Sequence, residues 1–145
     1  MAVVKIYTDG SCLGNPGTGG WACLLMYGDH EKLLSGAEHE TTNNRMELYA
    51  AYHALSVLKK ASQVEIWTDS QYVRRGVTEW SANWVRNQWK NSQKKPVKNA
   101  DLWKDLLEVA KVHQIKWHWV KGHSGDIHNE RVDEAARLAA EKLRD

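Results

Sequence analysis

Two short runs of β-forming residues in this chain end in the same dipeptide. Val3-Val4-Lys5-Ile6-Tyr7 leads into Thr8-Asp9, and Val64-Glu65-Ile66-Trp67 leads into Thr68-Asp69. Both runs read as short buried strands, so each predicted strand delivers an aspartate at its C-terminal end. Ligand sites in open α/β sheets lie at that end of the strands. A carboxylate placed there is poorly solvated and needs a cation or a ring of donors, while the glycines after Asp9 allow close backbone approach. Taken alone, Asp9 reads more readily as a residue that caps its own turn, and the rest of the chain reverses that preference.

The order of the remaining elements places further acids near the same rim. Trp21 to Tyr27 and Glu31 to Glu38 are predicted strands joined by a hairpin at Gly28-Asp29-His30. From Thr41 the period becomes helical through Leu48, Ala51, Tyr52, Leu55 and Leu58, with Thr42, Asn43 and Asn44 offering N-cap oxygens. Glu47 falls beside the centre of that apolar stripe, an unusual aim for a helical glutamate. Ser70 and Gln71 open a helix through Val77, and Ser81 to Trp89 is a second short one. A basic loop at Lys94, Lys95 and Pro96 precedes a helix begun by Asn99 or Asp101 and buried through Leu102, Leu106 and Val109. Ile115 to Val120 alternates as a strand, and a last helix over Ile127 to Leu143 buries Val132, Ala136, Ala139 and Leu143, with Asp133 on its shoulder. The predicted order is β-β-β-α-β-α-α-α-β-α, an α/β architecture expected to form one domain over residues 1–145, with its last two strands parallel to the first.

Composition narrows the function. No stretch reaches the apolar length of a membrane helix, the first residues lack the pattern of a signal peptide, and Cys12 and Cys23 have no metal-site spacing. The expectation is a cytoplasmic protein with reduced thiols and no membrane partner. The net charge is only +2. Between Gln71 and Lys104, however, eight Lys and Arg residues oppose only Glu79 and Asp101, and the same window holds Trp80, Trp84, Trp89 and Trp103. Cations interleaved with aromatics suit a polyanion such as a nucleic-acid backbone; a solvated helical surface over inward-facing tryptophans would read the same way.

Asp9, Glu47 and Asp69 come from two strand ends and a helix edge, with Asp133 able to join them from the last helix. Four carboxylates in a small site repel one another, and a divalent cation relieves that repulsion. Oxygen-only ligands favour Mg²⁺, with Mn²⁺ as a substitute, over zinc, and magnesium keeps coordination positions open for water and a substrate phosphate. His123 sits between glycines, as either a surface loop residue or a group able to titrate near neutral pH beside a phosphate. The recurrence of histidine at 113, 118, 123 and 128 fits no single face across a strand, a loop and a helix, and is read as coincidence.

The segments Tyr7-Thr8-Asp9-Gly10-Ser11, Thr42-Asn43-Asn44-Arg45-Met46-Glu47, Thr68-Asp69-Ser70-Gln71-Tyr72-Val73, and Lys121-Gly122-His123-Ser124-Gly125 with Asn129-Glu130-Arg131-Val132-Asp133 resemble, in order, the motif series of type 1 ribonuclease H. Lys94 to Asn99 and Asp101-Leu102-Trp103 resemble its bacterial members. The resemblance covers essentially the whole chain. It implies a ribonuclease H-like fold, a five-stranded mixed sheet of three antiparallel and two parallel strands flanked by helices. It also implies hydrolysis of the RNA strand of RNA/DNA hybrids, giving 5′-phosphate and 3′-hydroxyl ends.

By the same resemblance Asp9, Glu47, Asp69 and Asp133 would hold the metal, with two Mg²⁺ ions likewise implied and Asp9 shared between them, and His123 would assist proton transfer or product departure. The main chain of Gly10, Ser11 and Cys12 with Asn15, Asn43, Asn44 and Gln71 would contact the RNA strand, where 2′-hydroxyls mark RNA. Thr42 and Asn99 would bind DNA phosphates, with Trp80, Trp84 and the basic segment holding that backbone; such contacts carry little sequence information. The stretch Trp84 to Lys90 carries fewer cations than the corresponding cluster of some bacterial relatives, so looser binding with a shallow salt dependence is expected. No obligate protein partner is expected, and the chain is read as a free-standing monomer.

A DNA nuclease or recombinase of the same fold is a competing reading, disfavoured by Asn43, Asn44, Gln71 and the Trp-rich insertion. A noncatalytic hybrid-binding module competes too, disfavoured by the presence of all four carboxylates. A polymerase fragment is a further alternative, disfavoured because Met1 directly precedes the first strand.

Overall fold

The computed structural model describes residues 3–121 and 126–145. His123 and the rest of its glycine-bounded loop lie outside them. Five strands, β1 (Val4–Cys12), β2 (Gly17–Tyr27), β3 (His30–Thr41), β4 (Gln63–Thr68) and β5 (Gln114–Trp119), form one sheet in the order β3-β2-β1-β4-β5. β1, β2 and β3 pair antiparallel, and β1, β4 and β5 pair parallel, as the sequence predicts. The hairpin from β2 to β3 closes through Gly28 at φ 58, the position where two-residue loops of the II′ class place glycine.

The helices are α1 (Asn43–Ser56), α2 (Gln71–Arg75), α3 (Ser81–Arg86), α4 (Ala100–Ala110) and α5 (Ile127–Arg144). Alternation along the strands divides the core between the two faces of the sheet. Val4, Ile6, Trp21, Cys23, Leu25, Val64 and Ile66 pack with Met46, Leu48, Leu55, Leu102, Trp103 and Leu106 of α1 and α4. Tyr7, Ala22 and Leu24 pack on the other face with Val132 and Ala136 of α5. Because β2 is covered on both sides, every residue from Gly19 to Leu25 is buried. The inward stripe of α5 runs through Ala140 rather than the predicted Ala139, the residue one turn beyond Ala136.

Several boundaries depart from the sequence reading. β1 does not stop at Asp9, because antiparallel pairing with β2 continues to Cys12 opposite Gly19. What stops earlier is the parallel pairing with β4, whose last pair is Tyr7 with Trp67. Asp9 therefore lies where β1 still runs but its parallel neighbour has left the sheet. The two predicted helices between Gln71 and Trp89 are one continuous rod, joined by a π-helical stretch over Gly76–Trp80 and ending at Arg86. Gln88 and Trp89 follow with φ of 56 and 63, which no helix accommodates.

Candidate active site

Asp9 and Glu47 meet because Gly10 has no side chain. A Cβ there would run into the backbone of Met46 and Glu47, so α1 crosses the end of β1 in direct contact with the strand. α1 itself starts where Thr42, in extended backbone, accepts a hydrogen bond from Arg45 N at 3.2 Å. That start sets the helical phase which turns Glu47 inward, leaving it 5 % exposed. Asp69 follows the last residue of β4, on the strand adjacent to β1.

The result is a triad: Asp9, Glu47 and Asp69 each offer a carboxylate oxygen, and these atoms all lie within 4.8 Å of one another. Asp133 of α5 joins Asp9 and Asp69 in lining a small cavity with Thr8, Asp126, Asn129 and Glu130. Three of the four expected carboxylates thus gather within 4.8 Å, and Asp133 shares a cavity with Asp9 and Asp69. Burial first, and the charge of Asp69 second, push the Asp9 carboxyl up to about 8. Glu47 is raised well above the ordinary carboxylate range by burial first and then by the charges of Asp9 and Asp69. Its Oε2 is buried without a hydrogen-bond partner among the described residues. An orphaned oxygen in a crowd of repelling acids is what a hard divalent cation would satisfy, so the donor set fits such an ion.

The residues expected to contact substrate fall into two groups. Asn15, Thr42, Asn44 and Asn99 line one concavity together with Tyr72 and Lys98, all of them donors of hydrogen bonds. Asn15 Oδ1 accepts from Asn43 N at 3.1 Å and so ties the loop after β1 to the first residue of α1. Ser11 and Cys12 close β1, with the Cys12 thiol turned to the carbonyl of Gly14, and Gln71 is exposed at the first residue of α2.

Trp80 and Trp84 belong to an aromatic chain rather than a bare surface. Ring centroids are 6.0 Å apart for Tyr72–Trp80, 5.8 Å for Trp80–Trp84 and 5.2 Å for Trp84–Trp103, and Trp103 is fully buried. The two readings of the Trp-rich window thus both describe part of it: tryptophans pack inward while Arg74, Arg75, Arg86, Lys90, Lys94, Lys95 and Lys104 stay exposed. The three described histidines of the five-residue series have separate partners. His113 Nδ1 accepts from Ser62 N at 3.1 Å, His118 Nε2 lies 2.8 Å from Glu65 Oε1, and His128 packs on the Tyr7 ring.

Sequence reasoning missed Asp126, Asn129 and Glu130 as lining residues of the acidic cavity, although the last two stand inside the quoted Asn129 to Asp133 motif. It also missed Tyr72 and Lys98 in the second concavity. Both stand inside quoted motifs, Thr68 to Val73 and Lys94 to Asn99, but only the tertiary fold brings them together.

Comparison with known proteins places this arrangement. The family model described as RNase H matches residues 1–141. The chain is 60 % identical over 137 residues to Ribonuclease H of Bradyrhizobium sp. (strain ORS 278), covering 94 % of this chain and 89 % of that one. It is 58 % identical over 140 residues to Ribonuclease H of Marinobacter nauticus, covering 97 % and 95 %. Among solved structures, the crystal structure of LC9-RNase H1, a type 1 RNase H with the type 2 active-site motif, superposes with a TM-score of 0.87 at 31 % identity, over 98 % of this chain and 74 % of that one. LC11-RNase H1, solved in complex with an RNA/DNA hybrid, shares the fold at a TM-score of 0.66 and 23 % identity, over 98 % and 99 % of the two chains. The chain belongs to the ribonuclease H family.

Proposed function

We propose that the protein is an endonuclease that hydrolyses the RNA strand of RNA/DNA hybrids by metal-assisted attack of water. The observation that carries this reading is the convergence of Asp9, Glu47 and Asp69 within 4.8 Å in a chain of this family. So concentrated a negative charge would repel a phosphate, and the basic, donor-rich surface beside it would draw one in. A bound cation reconciles the two.

Asp9, Glu47, Asp69 and Asp133 are the residues that would hold it. Bound there, Mg²⁺, or Mn²⁺ as a substitute, with two ions expected, would supply polarisation of the scissile phosphate, a more acidic attacking water and charge stabilisation for the departing 3′ oxygen. The carboxylates themselves orient water through their remaining lone pairs and exclude competing anions. His123 is assigned proton transfer on its place in the motif. Attack on phosphorus with departure of the 3′ oxygen leaves a 5′-phosphate and a 3′-hydroxyl.

Hybrid selection is divided between the strands. The main chain of Gly10, Ser11 and Cys12, with Asn15, Asn43, Asn44 and Gln71, reads the minor groove of the RNA strand, where the 2′-hydroxyl is both donor and acceptor. Thr42 and Asn99, in the donor-lined concavity, hold a DNA phosphate, and Trp80 and Trp84 with the exposed basic residues beside them are assigned the rest of the DNA backbone. Phosphate and sugar contacts fix register without reading bases, so little sequence specificity is expected.

The test is cleavage of an end-labelled hybrid beside duplex RNA and duplex DNA, with Mg²⁺ or with chelator, by the wild-type chain and by Asp69→Asn. Internal cuts confined to the RNA strand of the hybrid are expected, lost with chelator and reduced by roughly 10³ in the variant, with the fold retained. Cutting of duplex DNA, or full activity of Asp69→Asn, would refute the reading.

A further inference from the structure

Asn99 stands just before α4 in the left-handed backbone region, at φ 59 and ψ 25, and its side chain makes no capping bond to its own helix. Nothing local holds that side chain. It is held instead by two other helices. Arg45 Nη1 of α1 donates to Asn99 Oδ1 at 3.2 Å, and Asn99 Nδ2 donates to the Tyr72 hydroxyl of α2 at 3.2 Å. Tyr72 is fixed in turn by Trp103 Nε1, which donates to the same hydroxyl at 2.8 Å.

Arg45 is itself clamped. Its Nη1 and Nη2 donate to the two carboxylate oxygens of Asp101 at 3.1 and 2.8 Å, a bidentate pair that fixes the plane and place of the guanidinium. A cation one residue beyond Asn44, itself a lining residue of the donor-rich concavity, would ordinarily be taken for a phosphate ligand. Here its charge is matched by Asp101, and its remaining contact is to an amide oxygen.

We propose that Arg45 is a positioning residue that fixes which end of the Asn99 amide faces the substrate. Guanidinium has donors only, so it can bond the amide solely through Oδ1. That contact turns the NH₂ group toward Tyr72 and the concavity, with one N–H engaged by Tyr72 and the other left for an incoming oxygen. An amide turned the other way would present oxygen lone pairs to a phosphate and repel it. The Asp101 clamp keeps the guanidinium at the required place and keeps it from binding the phosphate in place of Asn99. The inference rests on the reading of Asn99 as a phosphate-binding residue of the hybrid-cleaving enzyme.

The experiment is steady-state cleavage of a short RNA/DNA hybrid by the full chain, comparing wild type, Arg45→Met, Asn99→Ala and the double variant. Arg45→Met is expected to raise KM about tenfold with kcat within about twofold, because the lost contact serves binding rather than the reacting atoms. Asn99→Ala should do the same, and the double variant should be no worse than Asn99→Ala, since Arg45 acts through Asn99. Arg45→Lys, still a donor only, should recover part of the affinity. An unchanged KM in Arg45→Met, or multiplied effects in the double variant, would overturn the proposal.

If Arg45→Met does not fold, Asp101→Asn decides by the same criterion: KM raised about threefold, and no further increase when combined with Asn99→Ala. An unchanged KM in Asn99→Ala would remove Asn99 from substrate binding and overturn the proposal while leaving hybrid cleavage standing. Absence of cleavage by the wild-type chain would count against the enzyme reading itself.

Discussion

The acidic rim and the aromatic wall between α2 and α4 are both assembled from residues far apart in sequence, yet they are opposite kinds of construction. In the wall, polar groups are paired: the Tyr72 hydroxyl receives Asn99 and Trp103, and Arg45 donates to Asn99 and to both carboxylate oxygens of Asp101. In the rim, Glu47 Oε2 has no hydrogen-bond partner among the described residues, and like charges lie side by side. The wall stabilises the fold and holds its shape. The rim is an arrangement the chain would relieve if it could, kept in place by the Gly10 contact, with a donor set that a cation would satisfy. Unsatisfied polarity next to well-satisfied packing marks which region does chemistry.

Breaking the wall should cost stability most. Trp103→Ala removes a fully buried indole and one of the two donors on the Tyr72 hydroxyl, with an expected loss of about 3–5 kcal/mol in denaturant unfolding. A loss under about 1 kcal/mol would mean that the wall relaxes around the gap and is not the rigid partner of the comparison.

Breaking the rim should do the reverse. The Asp9 carboxyl titrates at about 8 in the folded chain against an ordinary value of 3.8, so the folded state keeps a proton that the unfolded chain releases. Stability must therefore fall as pH rises from about 4 to 8. In chelator, Asp9→Asn is expected to be more stable than wild type by about 1–3 kcal/mol at pH 7, with the gain vanishing below pH 4. A difference between the two chains that does not change with pH would show that Asp9 is not held against its own charge.

How far each region could be read from sequence follows from the same contrast. Asp9 and Asp69 announced themselves because a strand ending in an acid is conspicuous, and Glu47 because an acid broke an apolar helical stripe. The strand directions followed from one hairpin and from the helical connections into the last two strands, whereas the order of the strands across the sheet did not. Local pattern could not show that β1 runs on to Cys12, since the strand end is set by pairing with Gly19 on β2 rather than by the residues of β1. Nor could it show the π-helical join over Gly76–Trp80, which fuses two apparent helices into one. The Arg45–Asn99–Tyr72–Trp103 network escaped for a further reason. It depends on the left-handed backbone of Asn99 and on side-chain contacts spanning more than fifty positions between Arg45 and Asn99, and neither leaves a periodic trace.

The account turns on the rim being built for a cation, and thermal unfolding at neutral pH against added Mg²⁺ or Mn²⁺, in wild type and Asp69→Asn, tests that without requiring turnover. The expected result is a midpoint that rises with metal concentration in the wild-type chain, as binding to the folded state alone requires, and stays flat in the variant. Equal rises in both chains, or none in either, would contradict the claim that these carboxylates are gathered to hold a metal ion.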